Sequence, residues 1–492
     1  MSIQLFNTLT GRIEPLTAQP GQPLGMYACG PTVYDYGHIG NFRTFLHVDL
    51  LRRVLLQRGQ KLRHVMNITD VDDKIIRNAA AGGVSIQEFT QKYEQAFLED
   101  LDALQVERPE VLARATEHIP EMVTLIEELV DRDIAYRTED GSYYFRLTKF
   151  PEYGKLSKKD LAGITDGARV DVDEYDKDSA RDFALWKAPK PGEHDWKTAL
   201  GPGRPGWHIE CSAMAMRFLG ETLDLHVGGE DLMFPHHENE IAQSESATGK
   251  QFARHWMHVR FLLVEGKKMS KSEGNFYTLR DLLLKGHKAS AIRFLLLSVP
   301  YRHQLNFTFD GLAEATSAVE RLRNFAARMR ADDFPPGSDS MLAEATANYL
   351  AAFHAALDHD LNTAEAKGAI FELVRAGNTA ADNGTMGADN AKQILRALEE
   401  FDAIFAVIDD HDSAALNAAV AWAANEGRES EVAPELLAAQ AFPDSEINAL
   451  VSEREQARKN RNFSRADAIR DELATRGIVL EDSKQGVRWK RK

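Results

Sequence analysis

A break between a buried strand and an amphipathic helix, within residues 26–43, most constrains the fold of this chain. Residues 26–29 have the pattern of a strand end, Gly30 and Pro31 interrupt it, and Gly37-His38-Ile39-Gly40 opens a helix with apolar residues at helical spacing. Free backbone N–H groups and the positive end of the helix dipole meet at such a turn. The sequence therefore predicts a phosphate-binding site here.

A second predicted strand, residues 62–68, follows this helix. A strand, a helix and a strand within about forty residues form a parallel crossover unit, so we expect an α/β fold with a Rossmann-type, doubly wound parallel sheet. The carboxyl ends of parallel strands meet at one edge of a sheet. We therefore expect Cys29 and Thr69, which both end strands, to lie on the same rim.

Changes in composition divide the rest of the chain into domains. Residues 1–310 are predicted to form the nucleotide-binding domain, with an insertion at about 110–206 whose Pro and Gly content would equally fit a surface loop. Residues 311–425 carry the periodicity of an α-helical bundle domain. Residues 426–492 are predicted to form a small C-terminal α/β domain, with one helix capped by Ser464.

Charge and cysteine content limit the class of protein. The formal net charge of -16 argues against indiscriminate binding of polyanions, although residues 451–492 alone contain twelve Lys or Arg and seven Asp or Glu. Two cysteines in 492 residues indicate a reducing compartment. No signal peptide and no apolar run of membrane-spanning length is present, so we expect a cytoplasmic protein without a membrane segment.

Two motifs far apart in the chain point to one chemistry. Residues 29–41 read C-G-P-T-V-Y-D-Y-G-H-I-G-N, and residues 268–272 read K-M-S-K-S. Taken alone, the first is more often a packed turn and the second a solvated loop. Together they resemble the two signatures of class I aminoacyl-tRNA synthetases, and the first is similar to the form found in cysteinyl-tRNA synthetases. The cysteine-specific branch commonly has Asn at the position of Asn41, where the class signature has His.

This resemblance extends over nearly the whole chain and implies an ATP-dependent ligase. The implied first step is attack of the L-cysteine carboxylate on the α-phosphate of ATP, which enters with Mg²⁺, and release of pyrophosphate. The resemblance assigns catalytic roles to His38, Lys268 and Lys271. It implies further nucleotide contacts from Gly30, Thr32, Gly40, Asn41 and Asp231. We expect Thr69, Trp207 and His226 near the amino acid, with packing or capping as an equal alternative.

Four side chains form a candidate metal site. His236 and Glu240 are four residues apart, on one face of a helix predicted to start at Pro235. Together with Cys29 and Cys211 they make a ligand set suited to zinc, although spacing alone favours buried cysteines and a surface His/Glu pair. The segments C-G-P-T, E-C-S-A and F-P-H-H-E-N-E carry the resemblance here, which implies one Zn²⁺ per chain bound to the substrate thiol.

The implied activity is that of a cysteine-tRNA ligase. It would form cysteinyl-adenylate and transfer cysteine to the 3′-terminal adenosine of tRNA-Cys, acting as a monomer with an anticodon-binding C-terminal domain. Arginines and Trp489 near the carboxyl end suit phosphate contacts and base stacking, although a solubilising tail would have the same composition. Two alternatives remain: a ligase that transfers cysteine to a small amine, and a non-catalytic zinc- and RNA-binding paralogue.

Overall fold

The amino-terminal part of the chain alternates strands and helices. The computed structural model describes residues 3–159, 182–190, 192–442, 444–483 and 486–491. Its first elements are β1 (Gln4–Asn7), β2 (Arg12–Pro15), β3 (Leu24–Ala28), α1 (Ile39–Gln57), β4 (Leu62–Ile68), α2 (Asp73–Gly82), α3 (Ile86–Ala103), β5 (Val111–Arg114) and α4 (Ile119–Asp131). The predicted strand, helix and strand at residues 24–68 are thus present.

An antiparallel sheet is inserted next. Its strands are β6 (Ala135–Arg137), β7 (Tyr143–Phe145), β8 (Phe183–Lys187), β9 (Trp196–Thr198) and β10 (Gly201–Pro205), in the order β6-β7-β8-β10-β9. Strand β5 lies within the predicted 110–206 insertion, but it pairs in parallel with β4 and so does not belong to the inserted sheet. Residues 160–181 and 191 of that predicted insertion lie outside the described residues.

The chain then adds the last two strands of the parallel sheet and a separate three-stranded sheet. The elements are α5 (Trp207–Leu219), β11 (Leu223–Gly229), α6 (Glu238–Thr248), β12 (Ala253–Val259), β13 (Leu262–Val264), β14 (Lys267–Lys268), α7 (Leu279–Leu284), α8 (Ala289–Leu296) and β15 (Leu305–Phe307). Helix α6 is bounded by Glu238 and Thr248, and in the helical turn that precedes it, Met233–His237, only Phe234 has a non-helical backbone (φ -140°, ψ 127°), so the helical path starts at Pro235 as predicted.

The central sheet has the strand order β12-β11-β3-β4-β5, and every pairing in it is parallel. From β3 the chain adds β4 and β5 on one side, and it later adds β11 and β12 on the other. Ligands of doubly wound sheets bind outside the carboxyl ends of the strands where this direction changes. The predicted α/β fold class is therefore confirmed, and its expected binding crevice lies beyond the ends of β3 and β11.

The remaining chain is mostly helical. Its elements are α9 (Phe309–Ala331), α10 (Ser340–Asp358), α11 (Thr363–Asp382), α12 (Ala388–Phe405), α13 (Asp412–Asn425), α14 (Pro434–Ala441), α15 (Asp444–Lys459), α16 (Phe463–Thr475), β16 (Ile478–Ser483) and β17 (Gly486–Arg491). Asn462, not Ser464, caps α16: its side chain accepts from the N–H of Arg465 at 3.2 Å. A cap must precede the first helical residue, and that residue is Phe463.

Three apolar clusters organise these elements. One joins α1 and the sheet face beneath it to the helices α8 to α12, so the bundle and the nucleotide fold share a continuous core. A second fills the opposite sheet face, under α4, α5 and α6, and contains both cysteines. A third holds α15, α16 and the β16-β17 hairpin. No helix among the described residues is long and apolar enough to span a bilayer.

Candidate active site

The turn after β3 is fixed by its neighbours on both sides. The N–H of Cys29 donates to the carbonyl of Val227 on β11 at 3.0 Å, and the N–H of Gly30 donates to Asn67 Oδ1 on β4 at 2.8 Å. A Cβ at residue 30 would lie 1.7 Å from the carbonyl oxygen of Asn67, so only glycine fits. Thr32 pairs with Thr69 in an isolated bridge, which holds the two strand ends together as expected.

His38 is the N-cap of α1 rather than a residue of its first turn. Its Nδ1 accepts from the N–H of Asn41 at 3.1 Å, and the side chain of Asn41 accepts from the N–H of His38 at 3.1 Å. The N–H of Ile39 donates to the carbonyl of Tyr277 at 3.0 Å. Three backbone N–H groups at this predicted phosphate site therefore already have protein partners. Burial lowers the pKa of His38, which favours the neutral imidazole.

The K-M-S-K-S segment lies against this turn. Lys271 Nζ contacts Asp35 Oδ2 at 2.7 Å, and it lies 5.1 Å from the ring centre of Phe276, which packs edge-on against His38. Lys268 is exposed at the end of β14. Glycines with positive φ, Gly266 (+75°) and Gly274 (+68°), bound the segment. The two distant motifs therefore meet, and Asp35 is a site residue that sequence reasoning missed.

The four predicted metal ligands lie together. One donor atom from each of Cys29, Cys211, His236 and Glu240 lies within 4.8 Å of the others, and all four side chains are buried. His236 Nε2 lies 3.1 Å from Glu240 Oε1. On the far side of the ring, His236 Nδ1 is 2.9 Å from Nδ1 of His208. His208 thus orients the ring so that its other nitrogen faces the cluster, as partners of metal-bound histidines do.

Buried charge makes the cluster suitable for a cation. The hydrogen bond from Cys29 lowers the pKa of Cys211 to about 6, despite burial. Burial alone would raise the pKa of Glu240, but His226 and His236 lower it to about 2. Burial would likewise lower the pKa of His236, and the anionic Cys211 and Glu240 instead raise it to about 10. Two anionic donors in a dry site fit a divalent soft metal better than a proton.

A second set of donors overlaps the first. Cys29, His226, His237 and Glu240 also bring one donor atom each within 4.8 Å. His226 Nε2 lies 2.8 Å from Glu240 Oε2, and His237 Nε2 lies 3.4 Å from Cys29 Sγ. The other ring nitrogen of His237 is 2.8 Å from His258. His237 was not among the predicted site residues, and its position beside His236 in F-P-H-H-E-N-E is the one sequence signal for a polar role.

The predicted amino acid contacts surround these donors. Thr69 is buried, with its hydroxyl donating to Glu210 Oε2 at 3.0 Å and accepting from Asn67 at 3.2 Å. His226 is buried and stacks on Trp256 at 4.4 Å. Trp207 is 37% exposed and its ring lies 4.3 Å from that of His236, so it forms the open wall of the cluster. Thr69 and His226 therefore support the site from behind.

Gly40 and Asp231 are the two remaining residues predicted to contact the nucleotide. A Cβ at Gly40 would lie 3.0 Å from the ring of His38 and 3.4 Å from the methyl group of Met269, so the K-M-S-K-S segment covers a turn that admits only a small residue. Asp231 follows β11 and is exposed. An exposed carboxylate at the topological switch point can accept hydrogen bonds from ribose hydroxyls.

Comparisons with known families agree with this arrangement. Residues 16–317 match the tRNA synthetases class I (C) catalytic domain, residues 352–408 match the DALR domain, and residues 443–489 match the cysteinyl-tRNA ligase anticodon binding domain. Among solved structures, methionyl-tRNA synthetase from Mycobacterium tuberculosis in complex with methionyl-adenylate shares the fold, with a TM-score of 0.57 and 14% identity over 82% of this chain and 93% of that one. The fold and the site define a class I aminoacyl-tRNA synthetase.

Full-length relatives identify the family within that class. The cysteine–tRNA ligase of Koribacter versatilis is 60% identical, and that of Solibacter usitatus is 54% identical; both alignments cover all of this chain and all of the relative. The cysteine–tRNA ligase of Chlamydia muridarum is 43% identical over the same full coverage. The chain belongs to the cysteine–tRNA ligase family.

The two overlapping donor sets make opposite predictions for metal binding. If the ion binds Cys29, Cys211, His236 and Glu240, Cys211→Ser removes a ligand, whereas His237→Asn alters only a supporting contact. Loss of such a contact lowers the metal affinity by about 10- to 100-fold. We expect wild-type protein to bind one Zn²⁺ and Cys211→Ser to lose more affinity than His237→Asn, measured by competition with a chromophoric chelator. The reverse order would assign the ion to the His226 and His237 set.

Proposed function

We propose that this chain activates L-cysteine with ATP and ligates it to tRNA-Cys, and that Cys29, Cys211, His236 and Glu240 hold the Zn²⁺ that selects cysteine. The observation that carries the proposal is the gathering of these four buried donors on the same sheet rim as the His38 turn. When bound there, zinc would supply Lewis acidity that keeps the substrate thiol as a thiolate, which a serine hydroxyl cannot match because it is much harder to ionise.

The surrounding residues support a pocket for a small amino acid. Trp207 is partly exposed and would cover the substrate, while His208 fixes the ring of His236. The hydroxyl of Thr69 is engaged by Glu210 and Asn67, so we assign Thr69 to the wall of the pocket. Apolar pockets alone separate near-isosteres by only about 10- to 200-fold, so a sulfur-specific ligand set would provide most of the selectivity.

The His38 turn and the lysine segment are proposed to bind ATP with its Mg²⁺. Neutral His38 would donate from Nε2 toward the phosphates, because its Nδ1 already accepts from Asn41. Lys268 and Lys271 would neutralise charge that develops on the phosphates as the cysteine carboxylate attacks. Asp231 would accept ribose hydroxyls. The turn residues Gly30, Thr32, Gly40 and Asn41 would shape the nucleotide site through the backbone.

An exchange assay tests the division of the site between cysteine and ATP. We expect wild-type, zinc-loaded protein to exchange pyrophosphate into ATP only when cysteine is present. Cys211→Ser should raise KM for cysteine at least about tenfold more than KM for ATP, because it removes a donor from the thiol side only. Lys271→Ala is the reciprocal control and should affect ATP more than cysteine. No cysteine-dependent exchange by wild type, or equal effects of Cys211→Ser on both substrates, would contradict the proposal.

The C-terminal domain is proposed to contact the anticodon arm of the tRNA. Phe463 is 61% exposed at the start of α16, between the exposed Arg461 and Arg465. An exposed aromatic ring beside guanidinium groups suits stacking on an unpaired base next to phosphates. Trp489, which the sequence suggested for this role, packs against the domain core and donates to Asn448 at 2.8 Å. We therefore assign the stacking role to Phe463.

Phe463→Ala tests this assignment. Stacking on a base is worth about 1–3 kcal/mol, so we expect kcat/KM for tRNA to fall by roughly 5- to 150-fold while pyrophosphate exchange stays at the wild-type rate. Met341→Ala is the matched control, because Met341 is also an exposed apolar residue (80%) but lies on α10. Unchanged charging of tRNA by Phe463→Ala would refute the stacking role.

The remaining assignments follow from this function. We propose domains at residues 1–310, 311–425 and 426–492, supported by the extents of the three matched families. A monomer in the cytoplasm would suit a chain that contains both the ligase site and the anticodon domain. The anticodon-binding match over residues 443–489 disfavours a ligase for small amines, and the meeting of both ATP motifs disfavours a non-catalytic paralogue.

A further inference from the structure

A stack of aromatic and guanidinium groups joins helix α13 to the ATP side of the site. We call it the Trp422 cluster, and its members are Tyr36, Tyr93, Arg280, Trp422 and Arg428. The guanidinium carbons of Arg280 and Arg428 lie 4.8 and 5.0 Å from the ring centre of Trp422. The ring of Tyr36 meets Trp422 edge-on, with 5.2 Å between ring centres and 81° between ring planes.

The cluster contacts both motifs of the ATP site. Tyr36 is two residues before His38, and its N–H donates to Asp35, whose carboxylate holds Lys271 at 2.7 Å. Arg280 lies on α7, the helix that follows the K-M-S-K-S segment, and Thr278 caps that helix while pairing with His38. Trp422 therefore contacts one residue from the segment before His38 and one from the helix after the K-M-S-K-S segment, and Arg280 itself lies 5.4 Å from the ring centre of Tyr36.

Charge pairs fix the cluster in place. Arg280 is buried and pairs with Asp100 and Glu99 of α3, both at 2.8 Å. Arg428 pairs with Asp281 of α7 at 2.9 Å. A planar guanidinium stacks on an indole ring better than on an aliphatic side chain, so the geometry requires an aromatic residue at 422 and not apolar bulk alone.

Helix α13, which carries Trp422, lies between two of the matched family regions. Trp422 falls between the DALR match, which ends at residue 408, and the anticodon domain match, which begins at residue 443. Helix α13 contributes no residue to the zinc or phosphate contacts described above. Its connection with the site is made through Tyr36 and Arg280.

We propose that Trp422 is a positioning residue for ATP: it sets the distance between the loop that carries Asp35 and helix α7, and thereby the position of Lys271. This inference rests on the proposed adenylate-forming function. Loss of the indole would leave the zinc donors in place, because they lie at the end of β3, on α5, and on α6 and the turn before it. It would loosen the two ATP motifs relative to each other. The effect should therefore fall on ATP and not on cysteine.

Exchange kinetics of three α13 variants test the proposal. We expect Trp422→Ala to raise KM for ATP by about 2- to 10-fold, because it removes aromatic contacts of this type. The KM for cysteine and the zinc content should stay unchanged. Trp422→Phe should restore most of the ATP affinity because it keeps an aromatic face. Val420→Ala is the matched control: Val420 is buried in the same helix, two residues away, and points to another side. It should lower Tm without changing KM for ATP.

A double-mutant cycle keeps the test decisive if Trp422→Ala folds poorly. Tyr36→Leu and Trp422→Leu should each raise KM for ATP. The double variant should have a KM for ATP no higher than that of the weaker-binding single variant, because both substitutions remove the same contact. Additive effects in the cycle, an unchanged KM for ATP in the Trp422 variants, or an equal rise in Val420→Ala would overturn the inference. Absence of exchange by wild type would instead refute the proposed function, which separates the two failures.

Discussion

The parallel pairing of β3 with β11 is the contact on which the rest of the site depends. It joins segments almost two hundred residues apart, through the pairs Leu225 with Met26 and Val227 with Ala28. Because the two strands run in parallel, their carboxyl ends emerge side by side, and Cys29 comes to lie beneath the turn that carries His236. The inserted antiparallel sheet and α5 occupy the intervening chain and bring Cys211 to the same place. A one-residue slip of this register would point β3 side chains to the wrong face of the sheet.

One half of the site is buried and the other half is exposed to solvent. Around Cys211 and Glu240 the donors are buried and their charges compensate one another, so the ligand set keeps its geometry before any ligand arrives. Around Lys268 and Lys271 the side chains are exposed and the segment is bounded by glycines, so it can adapt to a polyphosphate. In the proposed function, selection of the amino acid would thus depend on a rigid ligand set, and binding of the nucleotide on an adaptable segment.

Much of this could be predicted from residue patterns, for reasons that differ by element. Periodicity located α1 and β4 because both are strongly patterned, whereas the four donors that the structure brings together were indicated by the resemblance of three segments to a known family and not by residue spacing. His208, His258 and Asp35 were missed because their roles arise from tertiary contacts between elements that are distant in sequence. The cap of α16 was misplaced, since the side chain of Asn462 and not that of Ser464 accepts from the first turn of the helix. The spatial link from Trp422 to Tyr36 has no signature in the sequence.

The proposed function requires that the cysteine substrate bind through its sulfur to a metal held by Cys29, Cys211, His236 and Glu240. X-ray absorption at the zinc edge of the loaded protein, recorded with and without L-cysteine, measures this directly. The account predicts two sulfur ligands without substrate and one additional sulfur at about 2.3 Å when cysteine is present, with no such change for L-serine. An unchanged zinc coordination shell on addition of saturating cysteine would contradict it.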